Sequence, residues 1–265
     1  MKRLKTIFLI CAMLCLCASC KKDLDMTLLK STLLSGTAFS SIQASEAFEI
    51  KVVKDENSFV EMECSAFLNE YIICKVENSC LTLGVNKVGN LPVGTVYRAV
   101  VHTPTLHSIM MSEASKMSIV GDFEDFESAE INKASVCSGG VFSGNAVVIS
   151  LTEASQLVDF TFDGQQFNAN LDAASRFVGN VNTTNSMEIH LASASSFVNY
   201  GGNTGSVKLE LREASLLNMA QTGIRDLEVD FGGASSATVM VNETISGRLN
   251  ELSTLYYSKT APSRT

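Results

Sequence analysis

The dipeptide Ala-Ser stands at positions 114–115, 134–135, 154–155, 174–175, 194–195, 214–215 and 234–235, seven times at an interval of 20 residues with no insertion. Three residues before each Ala is an apolar residue: Met111, Ile131, Leu151, Leu171, Leu191, Leu211 and Phe231. A register this strict is a structural repeat. A unit of 20 residues has no room for a crossover helix and cannot bury an apolar face alone. Stacking identical units solves both problems, because residue n then lies over residue n + 20 and apolar columns form one continuous core.

Within a unit the period is two. "VVISL" (147–151) and "VKLEL" (207–211) alternate like strands with one buried face. Apolar pairs recur upstream of each corner, as in Phe167 and Ala169 or Met187 and Ile189, and Leu157, Phe177, Phe197 and Leu217 form a further column after it. Turn-forming stretches at 163–166, 182–185, 201–205 and 222–226 predict a second reversal in each unit. The expected fold is all-β, a parallel β-helix-like solenoid with seven regular 20-residue coils. With strands ~4.8 Å apart, such a stack spans roughly 34 Å. The alanine of each corner is expected to turn inward, so that Leu at 174 or 194 would overpack it at a cost of about 1–3 kcal/mol.

Composition narrows the partners. The net charge is −8, which repels phosphate backbones and excludes a nucleic-acid-binding role. Lys2, Arg3 and Lys5 precede an apolar run of ten residues, Ile7–Leu16, too short to span a bilayer. This reads as a signal peptide. "CASC" ends in Cys20 and resembles a bacterial lipobox, although Cys17 occupies the place where such motifs carry Leu. Cys20 is then the lipid anchor. Loss of residues 1–19 removes three cations and no acids, taking the charge from −8 to −11. Of eight cysteines, Cys64, Cys74, Cys80 and Cys137 remain beyond Cys20; one bridge among the first three suits an exported protein, buried thiols being the alternative.

The Ala-Ser corners and the lipoprotein-like leader, with the opening strands from "FSSIQASEAFEIKVV" and the closing "LSTLYYSKTAPS", resemble the putative auto-transporter adhesin head GIN domain family of Bacteroidota over about residues 37–262. The resemblance implies a right-handed β-helical domain on an outer-membrane lipoprotein, a domain of unknown function regarded as an adhesin. Family corners usually read Ser-Gly-Ala-Ser-Asp. Here only Gly233 precedes its Ala, and no Asp follows any corner Ser, so an acidic ion-binding ladder is not expected.

The chain divides into a lipoprotein signal peptide (1–19), a tether (20–36), N-terminal strands or a cap of the solenoid (37–105), regular coils (106–250), and a C-terminal cap and tail (251–265). No catalytic motif, metal motif or cofactor motif occurs, so no catalytic, cofactor-binding or metal residue is assigned. Of three histidines, His102 and His107 fall on opposite strand faces if the strand is regular, and His190 points outward. Glu188, Lys208 and Glu228 share one outward column; His190, Glu210 and Asp230 share the next. Tyr200 is a candidate surface aromatic, whereas Tyr256 and Tyr257 are expected to close the core end. These features favour a cell-envelope, lipid-anchored module that binds a glycan or protein ligand without catalysis, facing outward or into the periplasm. A carbohydrate-active enzyme using Glu210 and Asp230, or a periplasmic scaffold, are the alternatives.

Overall fold

Strand pairing follows the 20-residue interval directly. The computed structural model describes residues 24–86 and 89–259; the leader and Cys20 lie outside the described residues. Strands β8 (Ser108–Met111), β9 (Lys116–Phe123), β10 (Ser128–Ile131), β11 (Val136–Leu151), β12 (Gln156–Leu171), β13 (Arg176–Leu191), β14 (Ser196–Asn199), β15 (Asn203–Leu211), β16 (Leu216–Phe231) and β17 (Ser236–Leu249) stack in parallel. In β11, β12 and β13, Val147 pairs with Phe167 and Phe167 with Met187, as the sequence columns require. The result is a parallel β-solenoid of about eight turns. The predicted column after the corner also forms: Cys137, Leu157, Phe177, Phe197, Leu217 and Ala237 are all buried and successive in register. Phe177 and Phe197 stack at 4.5 Å with 8° between their planes. Burial pushes the Cys137 thiol up to about 12.

The stretches expected as turns are mostly strand. Asp163 pairs with Asn182, Gly164 with Thr183, and Gln166 with Ser186, with a shift of register between Gly164 and Gln166. Thr222–Asp226 likewise lies within β16. Each long strand bends rather than reverses: in β12 the burial alternation slips at Val158–Asp159 and again at Gly164–Gln166. The neighbouring coil supplies the hydrogen bonds that an isolated turn would need from itself. Small residues serve close approach there. A Cβ at Gly164 would meet the Gly144 carbonyl oxygen at 2.3 Å and the Phe162 ring at 2.5 Å.

At the Ala-Ser corner the expected orientation is reversed. Ala is exposed and Ser buried in all seven corners. The cause is backbone conformation: the Ala and the residue before it both have positive φ, as in Glu153 (55°) and Ala154 (62°). This left-handed pair swings the methyl outward and brings the serine in. The Ala154 N–H donates to the Ala173 carbonyl at 2.8 Å and the Ala174 N–H to the Ser193 carbonyl at 2.8 Å, tying each corner to the next. The serine hydroxyl closes the corner locally, with Ser155 donating to the Thr152 carbonyl at 2.6 Å and Ser215 to the Arg212 carbonyl at 2.6 Å. Ser135 is an exception; its buried hydroxyl has no hydrogen-bond partner among the described residues.

The N-terminal strands add coils and also cover the end of the stack. They are β1 (Leu28–Leu33), β2 (Ser41–Ala44), β3 (Glu49–Lys54), β4 (Phe59–Ser65), β5 (Ile72–Glu77), β6 (Cys80–Val85) and β7 (Tyr97–Thr103). β2 and β3 lie parallel between later strands, β2 between β6 and β8, β3 between β7 and β9. Glu46 and Ala47, both at positive φ, form an eighth corner with Phe48 in the serine position. β4 and β5 then run antiparallel to β7 and β6, and β1 pairs antiparallel with β4. Residues 28–33 of the expected tether are thus sheet.

At the other end β18 (Thr254–Ser258) covers only Ser236–Met240 of β17. Tyr256 and Tyr257 do not close the core: they are 60% and 61% exposed, and Leu255 packs on it instead. Among the described residues no further coil lies above, so a side chain there has nothing to bury against. Cys64, Cys74, Cys80 and Cys137 are free thiols. Cys74 faces Leu83 across the β5–β6 hairpin and Cys80 faces Glu77, so the two do not oppose each other.

Candidate functional site: the charged outer face

Alternation fixes what the solenoid shows to solvent. In the segments ending at Leu171, Leu191, Leu211, Phe231 and Leu249, even-numbered residues point outward and align across coils. One column runs Asn168, Glu188, Lys208, Glu228, Ser246. The next runs Asn170, His190, Glu210, Asp230, Arg248. The two columns predicted from the 20-residue spacing are therefore real.

They are joined in one network. Lys208 Nζ lies 2.9 Å from Glu188 Oε1, and His190 bridges Glu188 at 3.2 Å and Glu210 at 3.1 Å. Arg212, adjacent to the corner, reaches Glu210 at 2.9 Å and Asp230 at 3.1 Å, and Arg248 pairs with Asp230 at 2.6 Å. Hydrogen bonding to Arg248, aided by Arg212, lowers the Asp230 carboxyl to about 2. The Lys208 ammonium holds Glu188 below its ordinary value, and Glu188 raises Lys208 in turn. Pairs this exposed contribute ~0–1 kcal/mol each to stability, so the face is a charge pattern more than a brace. Shallow depressions of about 540 Å³ around Glu188, Lys208 and Glu228 and about 390 Å³ around His190, Glu210 and Arg212 lie along it.

This arrangement differs from an acid–base pair. A general acid needs a carboxyl held protonated near neutral pH. Asp230 is shifted the opposite way, and Glu210 is engaged by Arg212 and His190. Among the described residues no group of three His, Cys, Asp or Glu side chains is placed to hold a metal.

A second charged concavity, of about 640 Å³, was not legible in the sequence. It lies over β1, β4, β7, β3 and β9, where Lys30, Glu63, Arg98, Glu49 and Lys116 align in register. Glu63 pairs with Arg98 at 2.6 Å and Lys30 at 3.5 Å. Alternating charges in "EIKVVK" and "FVEMEC" hinted at outward faces, but the out-of-order pairing of these strands has no local signature. His102 stacks on Phe59 at 4.0 Å and meets Asp55 at 3.1 Å, while His107 lies beyond the end of β7. Tyr200 is exposed, as its place beside Gly201 and Gly202 suggests.

Fold and face together define a parallel β-solenoid whose coils present long, ion-paired outer columns. The chain belongs to the family described as "Putative auto-transporter adhesin, head GIN domain", matched over residues 38–261. Among solved structures it is similar to a putative adhesin from Parabacteroides merdae ATCC 43184, with a TM-score of 0.76 at 10% identity, covering 88% of this chain and 96% of that one. A putative adhesin from Parabacteroides distasonis ATCC 8503 gives 0.69 at 11% identity, covering 89% and 98%. A putative lipid binding protein from the same strain gives 0.68 at 8% identity, covering 89% and 98%. No curated protein sequence matches the chain significantly. No helix among the described residues is long and apolar enough to cross a membrane.

Proposed function

We propose that this protein is a lipid-anchored envelope protein, held through Cys20 in the outer membrane, whose solenoid is a non-catalytic module binding a glycan or protein ligand. The observation that carries the reading is the outer face itself. Its columns repeat with the coil spacing and alternate in charge through Glu188, Lys208 and Glu228. A stiff face of this kind favours many weak, regularly spaced contacts with an extended partner. Adhesin-head membership supports it, as do the adhesins among its structural relatives. The lipobox-like "CASC" supports the anchor.

The test is retention of the mature protein on glycans, mucins, matrix proteins and phospholipid vesicles, each inspected afterwards for cleavage. Vesicles belong in the set because one structural relative is described as lipid binding. Retention without cleavage, weakened by Lys208→Glu, is the expected result. That substitution leaves three acids in one column and breaks the charge alternation. Cleavage would overturn the non-catalytic reading, and retention indifferent to Lys208→Glu would move the binding surface elsewhere.

A further inference from the structure

The chain enters the fold through an apolar segment. Leu24, Met26, Leu28 and Leu29 are 44%, 38%, 46% and 39% exposed, four large apolar side chains within six residues. The segment is not loose. The Ala66 N–H donates to the Thr27 carbonyl at 2.8 Å, and the Phe67 N–H to the Asp25 carbonyl at 3.0 Å. β1 then pairs along its length with β4 and, among the described residues, with no other strand. The exposed leucines are therefore fixed to one end of the stack, beyond β4.

The inference rests on the anchor reading above. Three residues separate Cys20 from Leu24, four chain steps with a reach of at most about 14 Å. An acylated Cys20 thus delivers this apolar edge to the bilayer surface. We infer that residues 24–29 and the free edge of β1 form a membrane-docking edge that seats the solenoid end-on, with β18 farthest from the bilayer. Depth is limited by the backbone. The free N–H and C=O groups of an edge strand cannot enter hydrocarbon unpaired. The edge therefore lies at the headgroup–acyl boundary, where apolar side chains insert and the backbone keeps polar partners. Lys30, on the same strand, is 77% exposed and pairs with Glu63 at 3.5 Å, so its ammonium stays with the charged concavity rather than the apolar edge. An anchored head held this way has a defined tilt, and the charged outer columns stand beside it, clear of the membrane.

The chain has no tryptophan, so one introduced indole reports a single position. Mature protein carrying Leu28→Trp, Met26→Trp or Leu252→Trp is reconstituted in phosphatidylethanolamine–phosphatidylglycerol vesicles containing brominated lipid. Leu252 lies at the opposite end and is 83% exposed. Quenching and a blue shift at positions 28 and 26, with an unquenched indole at 252, are expected. Met26 precedes β1, so its variant keeps the test open if Leu28→Trp disturbs the strand. Mass spectrometry of the N-terminal peptide separates the two claims. An acylated peptide with unquenched indoles at both positions overturns the docking edge and leaves the anchor intact. A peptide without the acyl mass overturns the anchor, and the docking edge with it.

Discussion

At each corner two residues hold a left-handed backbone, and only Gly233 among the first-position residues does so without a Cβ. The left-handed conformation costs an L-residue roughly 1–2 kcal/mol, partly balanced by the entropy a glycine would lose. Glu153→Gly is thus expected to raise stability by up to about 1 kcal/mol in a denaturant melt. Because the alanine methyl faces solvent, Ala174→Leu should stay within about 0.5 kcal/mol of the parent, not show the overpacking that an inward methyl would give. The serine beside it is the sensitive residue. Ser155→Ala removes a buried hydrogen bond and should cost on the order of 1 kcal/mol. Ser135→Ala, at a hydroxyl with no partner among the described residues, should cost less, and equal losses would contradict the corner hydrogen bond as the source.

Among the strands, the outer columns couple neighbouring coils through charge. Asp230 titrates at about 2 in the fold, against 3.8 for the free side chain. A depressed carboxyl stabilises the fold above its unfolded value and loses that contribution as pH falls through its folded value. Asp230→Asn should therefore be less stable than the parent at neutral pH, with the difference shrinking as pH falls from about 4 to about 2. Thermal melts across that window check it; a constant gap would assign the loss to packing. The serine–alanine corners and apolar columns of these strands were readable from spacing alone. The bends were not. "DGQQ" and "NTTN" have turn chemistry, yet an adjacent coil pairs with them and turns a reversal into a bend.

For the whole molecule, the stack behaves as a one-dimensional array in which each coil touches only its neighbours. Deleting residues 152–171 removes one complete coil and joins Leu151 to Asp172, preserving the register in which Leu151 already pairs with Leu171. The shortened protein should fold and unfold cooperatively at a lower midpoint. A deletion of half that length should fail, because every inward residue downstream would leave its column. Circular dichroism of both variants distinguishes them.

The 20-residue interval by itself determined the solenoid, its inward columns and the two charged outward columns, because in a stack of equal coils sequence separation becomes spatial adjacency. Tertiary structure alone decided three things. The corner's backbone hand put Ser155 inside and Ala154 outside, since a left-handed pair rotates the side chains in a way composition does not encode. The insertion of β2–β3 between later strands built the N-terminal charged concavity, because it depends on pairings made across tens of residues. Among the described residues no element lies beyond β18, which leaves Tyr256 and Tyr257 in solvent, since an apolar side chain is buried only where another element exists to cover it.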